Sequence, residues 1–195
     1  VVAIIDPPRS KPVLLGLTGK AGSGKDTIAN ILRQRGFAQH AFAQPLKRGI
    51  ETIFGLPPSI WDDREAKEAP IDWLGKSPRY LAQTLGTEWG RHLVADDLWV
   101  TLAMRAWNEK KQSVNPRMVI SDVRFDNEAQ AIIDAGGQVW RVVRENITTT
   151  ALDHISESGI SRHLIFGNIF NDDSIPELEA RIERWLPFLI QRYFS

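Results

Sequence analysis

The stretch Gly19-Lys20-Ala21-Gly22-Ser23-Gly24-Lys25-Asp26-Thr27 constrains this chain more than any other feature. It follows an apolar run, residues 13–18, that reads as a buried strand, and it precedes Ile28-Ala29-Asn30-Ile31-Leu32, which reads as the start of a helix. Glycines let the backbone curl so that several N–H groups point at one anion. The helix N-terminus adds partial positive charge, and Lys25 reaches toward the β- and γ-phosphates of a nucleotide. Strand, glycine-rich turn, Lys and helix in this order predict a phosphate-binding loop. The plain alternative is a glycine turn in an ordinary strand–helix unit, which leaves the position of Lys25 unexplained.

The residue after the loop lysine is usually Ser or Thr, a magnesium ligand. Asp26 stands there, with Thr27 next. A carboxylate is also a hard oxygen ligand for magnesium. It could instead cap the first helical turn. The sequence leaves both readings open.

Architecture follows from the alternation of apolar segments. Strands are expected at 13–18, 37–42, 117–121, 138–143 and 164–170. Helices are expected at 25–35, 45–54, 77–94, 98–111 and 125–135, and a last one is capped by Asp173 or Ser174 and runs to about 190, with Pro187 kinking or ending it. Ser77-Pro78 is a favourable helix start. The stretch 55–76, with Pro57, Pro58 and Pro70, reads as irregular or partly helical. Strands separated by helices and opened by a phosphate loop imply an α/β fold of the P-loop NTPase type, a parallel sheet sandwiched by helices. Ligands in such sheets sit beyond the carboxyl ends of the strands, which gathers residues 19–27, Asp122 and Arg144 on one edge. The segment at about 44–112 is long for a crossover, and is expected to be a helical acceptor-binding or lid insertion in a single domain over 13–195. Residues 1–12, with Pro7, Pro8 and Pro12, read as a flexible leader.

Composition narrows the partners. The 195 residues carry 24 Lys and Arg against 24 Asp and Glu, so no global basic field argues for direct nucleic-acid binding. There are no cysteines, which removes disulfides and fits a cytoplasmic protein. No apolar run approaches a membrane span, and a homodimer is left open.

Other clusters have a functional and a structural reading each. Asp122 follows the strand at 117–121, where a carboxylate binds magnesium or orients an acceptor oxygen; Arg124 and Glu128 follow it. The structural reading is a helix cap and an i,i+4 ion pair between Arg124 and Glu128. Phosphoryl transfer needs cations, and Lys47, Arg48, Arg64, Arg79, Arg91, Arg124, Arg144 and Arg162 are available. Arg79 and Arg91 lie about a third of a turn apart on one regular helix, and share a site only if it bends or breaks near Gly86 or Gly90. Of Trp61, Trp73, Trp89, Trp99 and Trp107, Trp99 is the choice for stacking on a base, against packing in a small helical subdomain. His154 and Ser156 lack the nucleophile elbow and acid partner that a hydrolase needs.

Several blocks in order resemble the phage-type deoxynucleoside monophosphate kinases. They are Gly22-Ser23-Gly24-Lys25-Asp26-Thr27; Pro45-Leu46-Lys47 with Phe54-Gly55; Ser77-Pro78-Arg79 leading to Leu85-Gly86-Thr87-Glu88-Trp89-Gly90-Arg91; Asp97-Leu98-Trp99; Ser121-Asp122-Val123-Arg124-Phe125 with Asn127-Glu128; His154 with Ser156-Glu157; and Asn171-Asp172. The resemblance covers nearly everything after Pro12, and Asp after the loop lysine is usual in that family.

The resemblance implies ATP- and magnesium-dependent transfer to a deoxynucleoside 5′-monophosphate, giving the diphosphate. By matched position Gly19, Ala21, residues 22–27 and Asn171 would hold ATP, with Asn171 near the adenine. Lys47, Arg79, Arg91, Trp99, Asp122, Arg124 and Glu128 would hold the acceptor. Asp26 and Asp122 would serve magnesium, and Lys25, Arg124 and Arg144 would spread the charge of the transferring group. Arg144 and Arg162 both suit the lid arginine by location. Asp173 stands where the family pattern has Gly. A sister kinase for phosphomevalonate or dephospho-coenzyme A, and a nucleotide-binding switch without acceptor chemistry, are the competing readings.

Overall fold

The computed structural model describes residues 11–144 and 159–191. They fall into two compact units, one made of residues up to 40 together with those from 104 onward, the other of residues 41–103.

The first unit is built on a parallel five-stranded sheet. Strand β1 (Val13–Thr18) leads into α1 (Lys25–Gln34) and β2 (Ala38–His40). After the second unit come β3 (Arg117–Ile120), α6 (Asp126–Asp134), β4 (Gln138–Val143), β5 (Gly167–Phe170) and α7 (Ile175–Gln191). The strand order is β2-β3-β1-β4-β5. β1 is buried at every position, as a strand covered on both faces must be. Its Val13, Leu15 and Leu17 pack with Ile28, Ile31 and Leu32 of α1 and Leu178 and Ile182 of α7. Gly16 faces the opposite side, where α6 lies: a Cβ built on it would stand 2.7 Å from Ile132 Cδ1 and 3.0 Å from Val123 Cγ2. The glycine is therefore a packing requirement of the α6 layer.

The second unit holds α2 (Gln44–Phe54), a 3-10 turn (Pro58–Trp61), α3 (Arg64–Glu68), α4 (Pro78–Gln83), a π-helical continuation (Thr84–Val94) and the start of α5 (Leu98–Lys110). α2 buries Leu46 and Ile50. Ser77 caps α4 as expected, its Oγ accepting from Tyr80 N at 3.2 Å. The second unit is bounded at 41 and 103, where the sequence led to bounds of about 44 and 112, and the last turns of α5, with buried Trp107, belong to the sheet unit.

Four segments differ from expectation. β2 is shorter than 37–42 because Phe37 N donates to Leu32 O, closing the end of the preceding helix. β5 starts at Gly167, not 164, because Arg162–Leu164 forms a 3-10 turn. The helix expected at 77–94 changes to π-helical hydrogen bonding at Thr84. α7 continues through Pro187 to Gln191, so the proline does not end the helix. Among the described residues no helix is long and apolar enough to cross a membrane.

Replacing Gly16 by Val should lower stability in urea denaturation by about 1–3 kcal/mol, the usual cost of overpacking. Adding Ile132→Ala should recover part of that loss, since Ile132 Cδ1 is the nearest atom to the added carbon. An unchanged midpoint for Gly16→Val would contradict this packing.

Candidate active site

The loop after β1 has the backbone that its glycines predict. Gly19, Gly22 and Gly24 have φ of 143°, 78° and 95°. A Cβ at Gly19 would also meet Val142 O at 2.4 Å, whereas at Gly22 it would meet open space. Gly24 is the N-cap of α1 and offers no side-chain cap, so the first-turn N–H groups are left to other acceptors. The ammonium of Lys25 donates to Gly19 O at 2.7 Å and Lys20 O at 2.8 Å, which holds a positive charge over the loop. Ala21 and Asp26 are exposed, and Thr27 is half-buried. Asp26 lies inside the first turn, after the cap residue, so it is not the cap that one reading made it. Its charge acts on the helix dipole and remains available to a cation. Ser23 is 1% exposed, and among the described residues its Oγ has no hydrogen-bond partner.

Hydrogen bonds beyond the strand ends gather the neighbouring segments. Val123 N donates to Leu17 O at 3.1 Å, which sets Asp122 beside the entry to the loop. Ser121 N donates to His40 O, and Asn171 N to Val143 O at 2.8 Å. The carboxyl edge of the sheet therefore collects the loop, Asp122, exposed Arg144 and Asn171. Asn171, expected near adenine, donates from Nδ2 to Ser23 O at 2.8 Å.

Glu128 was expected to hold an acceptor. It is instead 2% exposed, and its Oε2 accepts from Arg124 N at 2.8 Å and Phe125 N at 3.2 Å. The carboxylate thus caps α6 and fixes the backbone from which exposed Arg124 projects. The cap holds backbone N–H groups rather than the ion pair foreseen with the Arg124 side chain.

In the second unit, Lys47 Nζ lies 5.4 Å from the centroid of the Trp61 ring, and Trp61 Nε1 donates to Glu51 at 2.7 Å. Arg79 pairs with Glu68 at 2.9 Å, with both side chains well exposed. Trp99 was the expected stacking partner for a base. It is 7% exposed, its Nε1 donates to Gly86 O at 2.7 Å, and a Cβ on Gly90 would stand 2.6 Å from its ring. Trp99 therefore packs on the backbone of the π-helical segment and has no open face of the kind stacking needs. Exposed aromatic surface in this unit lies at Trp73, Tyr80 and Trp89.

The π-helix also bears on Arg79 and Arg91. A π-turn holds about 4.4 residues, so each step turns roughly 18° less than in an α-helix. Over the seven steps from Thr84 to Arg91 the lag is about a third of a turn, which cancels the offset of uniform α periodicity. A uniform π-helix over this stretch would set the two arginines on one face about three turns apart.

Asp126 opens α6 and accepts from Ser161 N at 2.8 Å and Ser161 Oγ at 2.6 Å. The serine hydroxyl, then the backbone N–H, hold its carboxyl below the ordinary value of 3.8. This bond ties Arg162, exposed in the following 3-10 turn, to the α6 end of the sheet unit. His154, Ser156 and Glu157 lie outside the described residues.

Sequence reasoning missed the Asn171 tie and the Asp126–Ser161 link, and it held the helix cap at Glu128 only as the structural alternative. Only the Glu128 cap had a local signal, an acid three residues after the cap position.

A parallel sheet with a left-handed glycine loop and Lys25 at the first strand's carboxyl end defines a nucleotide-binding α/β protein of the P-loop type. Comparison with known proteins gives the particular family. A family model for deoxynucleotide monophosphate kinase matches residues 72–182. A protein of Acanthamoeba polyphaga mimivirus named for the same activity is 38% identical over 149 residues, 70% of this chain and 77% of that one. The deoxynucleoside-5′-monophosphate kinase of Escherichia phage T5 is 27% identical over 242 residues, 87% of this chain and 94% of that one. The crystal structure of TT1252 from Thermus thermophilus shares the fold, with a TM-score of 0.50 at 16% identity, over 92% of this chain and 99% of that one. The chain belongs to the deoxynucleotide monophosphate kinase family and is a phosphotransferase.

Two outcomes follow from this geometry. Gly90→Ala should displace the Trp99 ring and destabilise the helical unit by about 1–3 kcal/mol, read by urea denaturation and tryptophan fluorescence. Because its carboxyl is lowered in the folded chain, Asp126 contributes stability above pH 3.8 that is lost as pH falls through its folded value. Asp126→Asn should therefore flatten the acid decline of the thermal midpoint below about pH 4. A decline as steep as that of the unaltered protein would rule out this contribution.

Proposed function

We propose that the protein transfers the γ-phosphoryl group of ATP to a deoxynucleoside 5′-monophosphate, with magnesium, and releases ADP and the diphosphate. The observation that carries the donor half is the loop. Three positive-φ glycines and an N-terminus without a side-chain cap present backbone donors to phosphate, with the Lys25 ammonium above them. Family membership supports the acceptor half.

Gly19, Ala21, Gly22, Ser23, Gly24 and Thr27 line the donor phosphates in this reading, and Lys25 draws charge from the transferring group. Arg124 and Arg144, exposed at the carboxyl edge of the sheet, are the further cations for that charge. Lys47, Arg79 and Arg91 are assigned to the acceptor's phosphate. Arg79 exchanges Glu68 for a phosphate oxygen at little cost, because an exposed ion pair is worth ~1 kcal/mol or less. Glu128 acts through the Arg124 backbone. Trp99 acts by shaping the helix that carries Arg91. The acceptor's phosphate is already an anionic nucleophile, so no protein base has to remove a proton.

Magnesium fits the donors present. Asp26 and Asp122 offer hard oxygens next to the loop, and among the described residues no three His, Cys, Asp or Glu side chains come together as an all-protein cage would require. Magnesium commonly keeps its waters and binds through one or two carboxylates plus substrate phosphates. When bound, it neutralises β- and γ-oxygen charge.

The helical unit, residues 41–103, is proposed as the acceptor-binding insertion of one kinase domain. Action in the cytoplasm, where nucleotide pools lie, goes with this reading, and a second copy of the chain is an untried partner.

An ADP-release assay with ATP and magnesium against the common deoxy- and ribonucleoside monophosphates tests the proposal, with phosphomevalonate and dephospho-coenzyme A as comparators. Turnover is expected with at least one deoxynucleotide and with neither comparator. Lys25→Ala should lower kcat by about 10²–10³-fold, the scale for losing one charge-stabilising group, with unchanged circular dichroism. An active Lys25→Ala enzyme would overturn the loop assignment.

A further inference from the structure

Asn171 follows β5 directly and is distant in sequence from the loop, yet its side chain is built into the loop's underside. We propose that Asn171 is a positioning residue that clamps the phosphate loop in its binding conformation, and that it acts on phosphate groups whether or not they carry a base. The inference rests on the phosphate-loop reading and is independent of which acceptor is used.

Three observations place the clamp. Nδ2 donates to Ser23 O at 2.8 Å, inside the loop and next to the cap residue of α1. The same nitrogen would stand 2.1 Å from a Cβ on Gly24, so the amide fills the space that only a glycine leaves. The asparagine is itself anchored, since its backbone N donates to Val143 O at 2.8 Å and prolongs the β4–β5 ladder past the strand ends. A rigid sheet edge thus reaches back to one carbonyl of the loop.

That carbonyl matters for geometry. Gly22 and Gly24 sit at φ of 78° and 95° on either side of Ser23. Left-handed glycines are conformationally free, and in an unrestrained chain they sample many orientations of the adjoining peptides. Fixing Ser23 O orients the Ser23–Gly24 peptide, whose N–H is one of the loop's donors. Preorganised donors bind an anion without the ordering cost that a mobile loop would add. Nδ2 thereby gives one hydrogen bond to the protein backbone, where the resemblance implied a place near the adenine.

The test compares MgATP with magnesium tripolyphosphate, which has the phosphates and no base. Binding of both is measured calorimetrically for the unaltered protein, Asn171→Ala and Asn171→Asp. Asn171→Asp keeps the shape but turns an acceptor toward Ser23 O, so it also serves if Asn171→Ala folds poorly. Each variant should bind both ligands roughly tenfold more weakly, by similar factors, the scale of one lost hydrogen bond. The KM for ATP should rise while the KM for the acceptor stays unchanged, and amide exchange of the loop should accelerate. Weakening of MgATP alone would reassign Asn171 to the base and overturn the clamp. Unchanged binding of both ligands would also overturn it. Absence of turnover with every monophosphate would sink the kinase reading, yet leave the binding comparison intact.

Discussion

Everything at the candidate site depends on the central position of β1. Hydrogen bonded to β3 on one side and β4 on the other, the strand cannot shift register without breaking both ladders. Its residues are buried on both faces, so a slip would also expose core side chains. The loop that leaves its carboxyl end is therefore delivered to a fixed place. Val123 N on Leu17 O and Asn171 N on Val143 O continue the pairing beyond the regular strands. They bring Asp122 and Asn171 toward the loop through backbone geometry alone. The sheet turns residues far apart in sequence into neighbours at one edge.

The loop itself balances conformational freedom against restraint. Its glycines allow the positive-φ curl that turns backbone donors inward. The same freedom works against a single binding geometry unless something removes it. Lys25, bonded to Gly19 O and Lys20 O, restrains the first half. Asn171, bonded to Ser23 O, restrains the second. Lys25 carries the charge, and Asn171 is neutral, so the two restraints separate electrostatic from geometric work. The Ser23 hydroxyl is buried, and among the described residues it has no hydrogen-bond partner.

The parallel sheet, the phosphate loop and the positions of Asp122 and Arg144 were legible in the sequence, because they rest on local signals. Val13 to Thr18 are continuously apolar, the glycine spacing is tight, and helices follow strands at regular intervals. The side-chain contacts of Glu128, Trp99 and Asn171 were not legible for a shared reason. Each is decided by a backbone group at another place: the Arg124 N–H, the Gly86 carbonyl and the Ser23 carbonyl. Residue type says that a side chain can accept or donate. It does not say which backbone group folding will bring within reach. The starts of β2 and β5 were misplaced because Phe37 and Leu164 are apolar and buried without being strand residues.

The π-helical segment shows how such a contact propagates. Trp99 needs two things from its neighbour, a flat surface for its ring and an acceptor for its indole N–H. Gly90 supplies the first by having no Cβ, and Gly86 supplies the second through its carbonyl. A ring pressed on the helix backbone with a side-chain donor on one of its carbonyls perturbs the regular i→i+4 ladder. The ladder closes at i→i+5 instead. Arg91 sits in this wider-turned stretch, seven residues after Thr84. Packing of Trp99 on Gly86 and Gly90 thus acts on the backbone of the segment that carries Arg91.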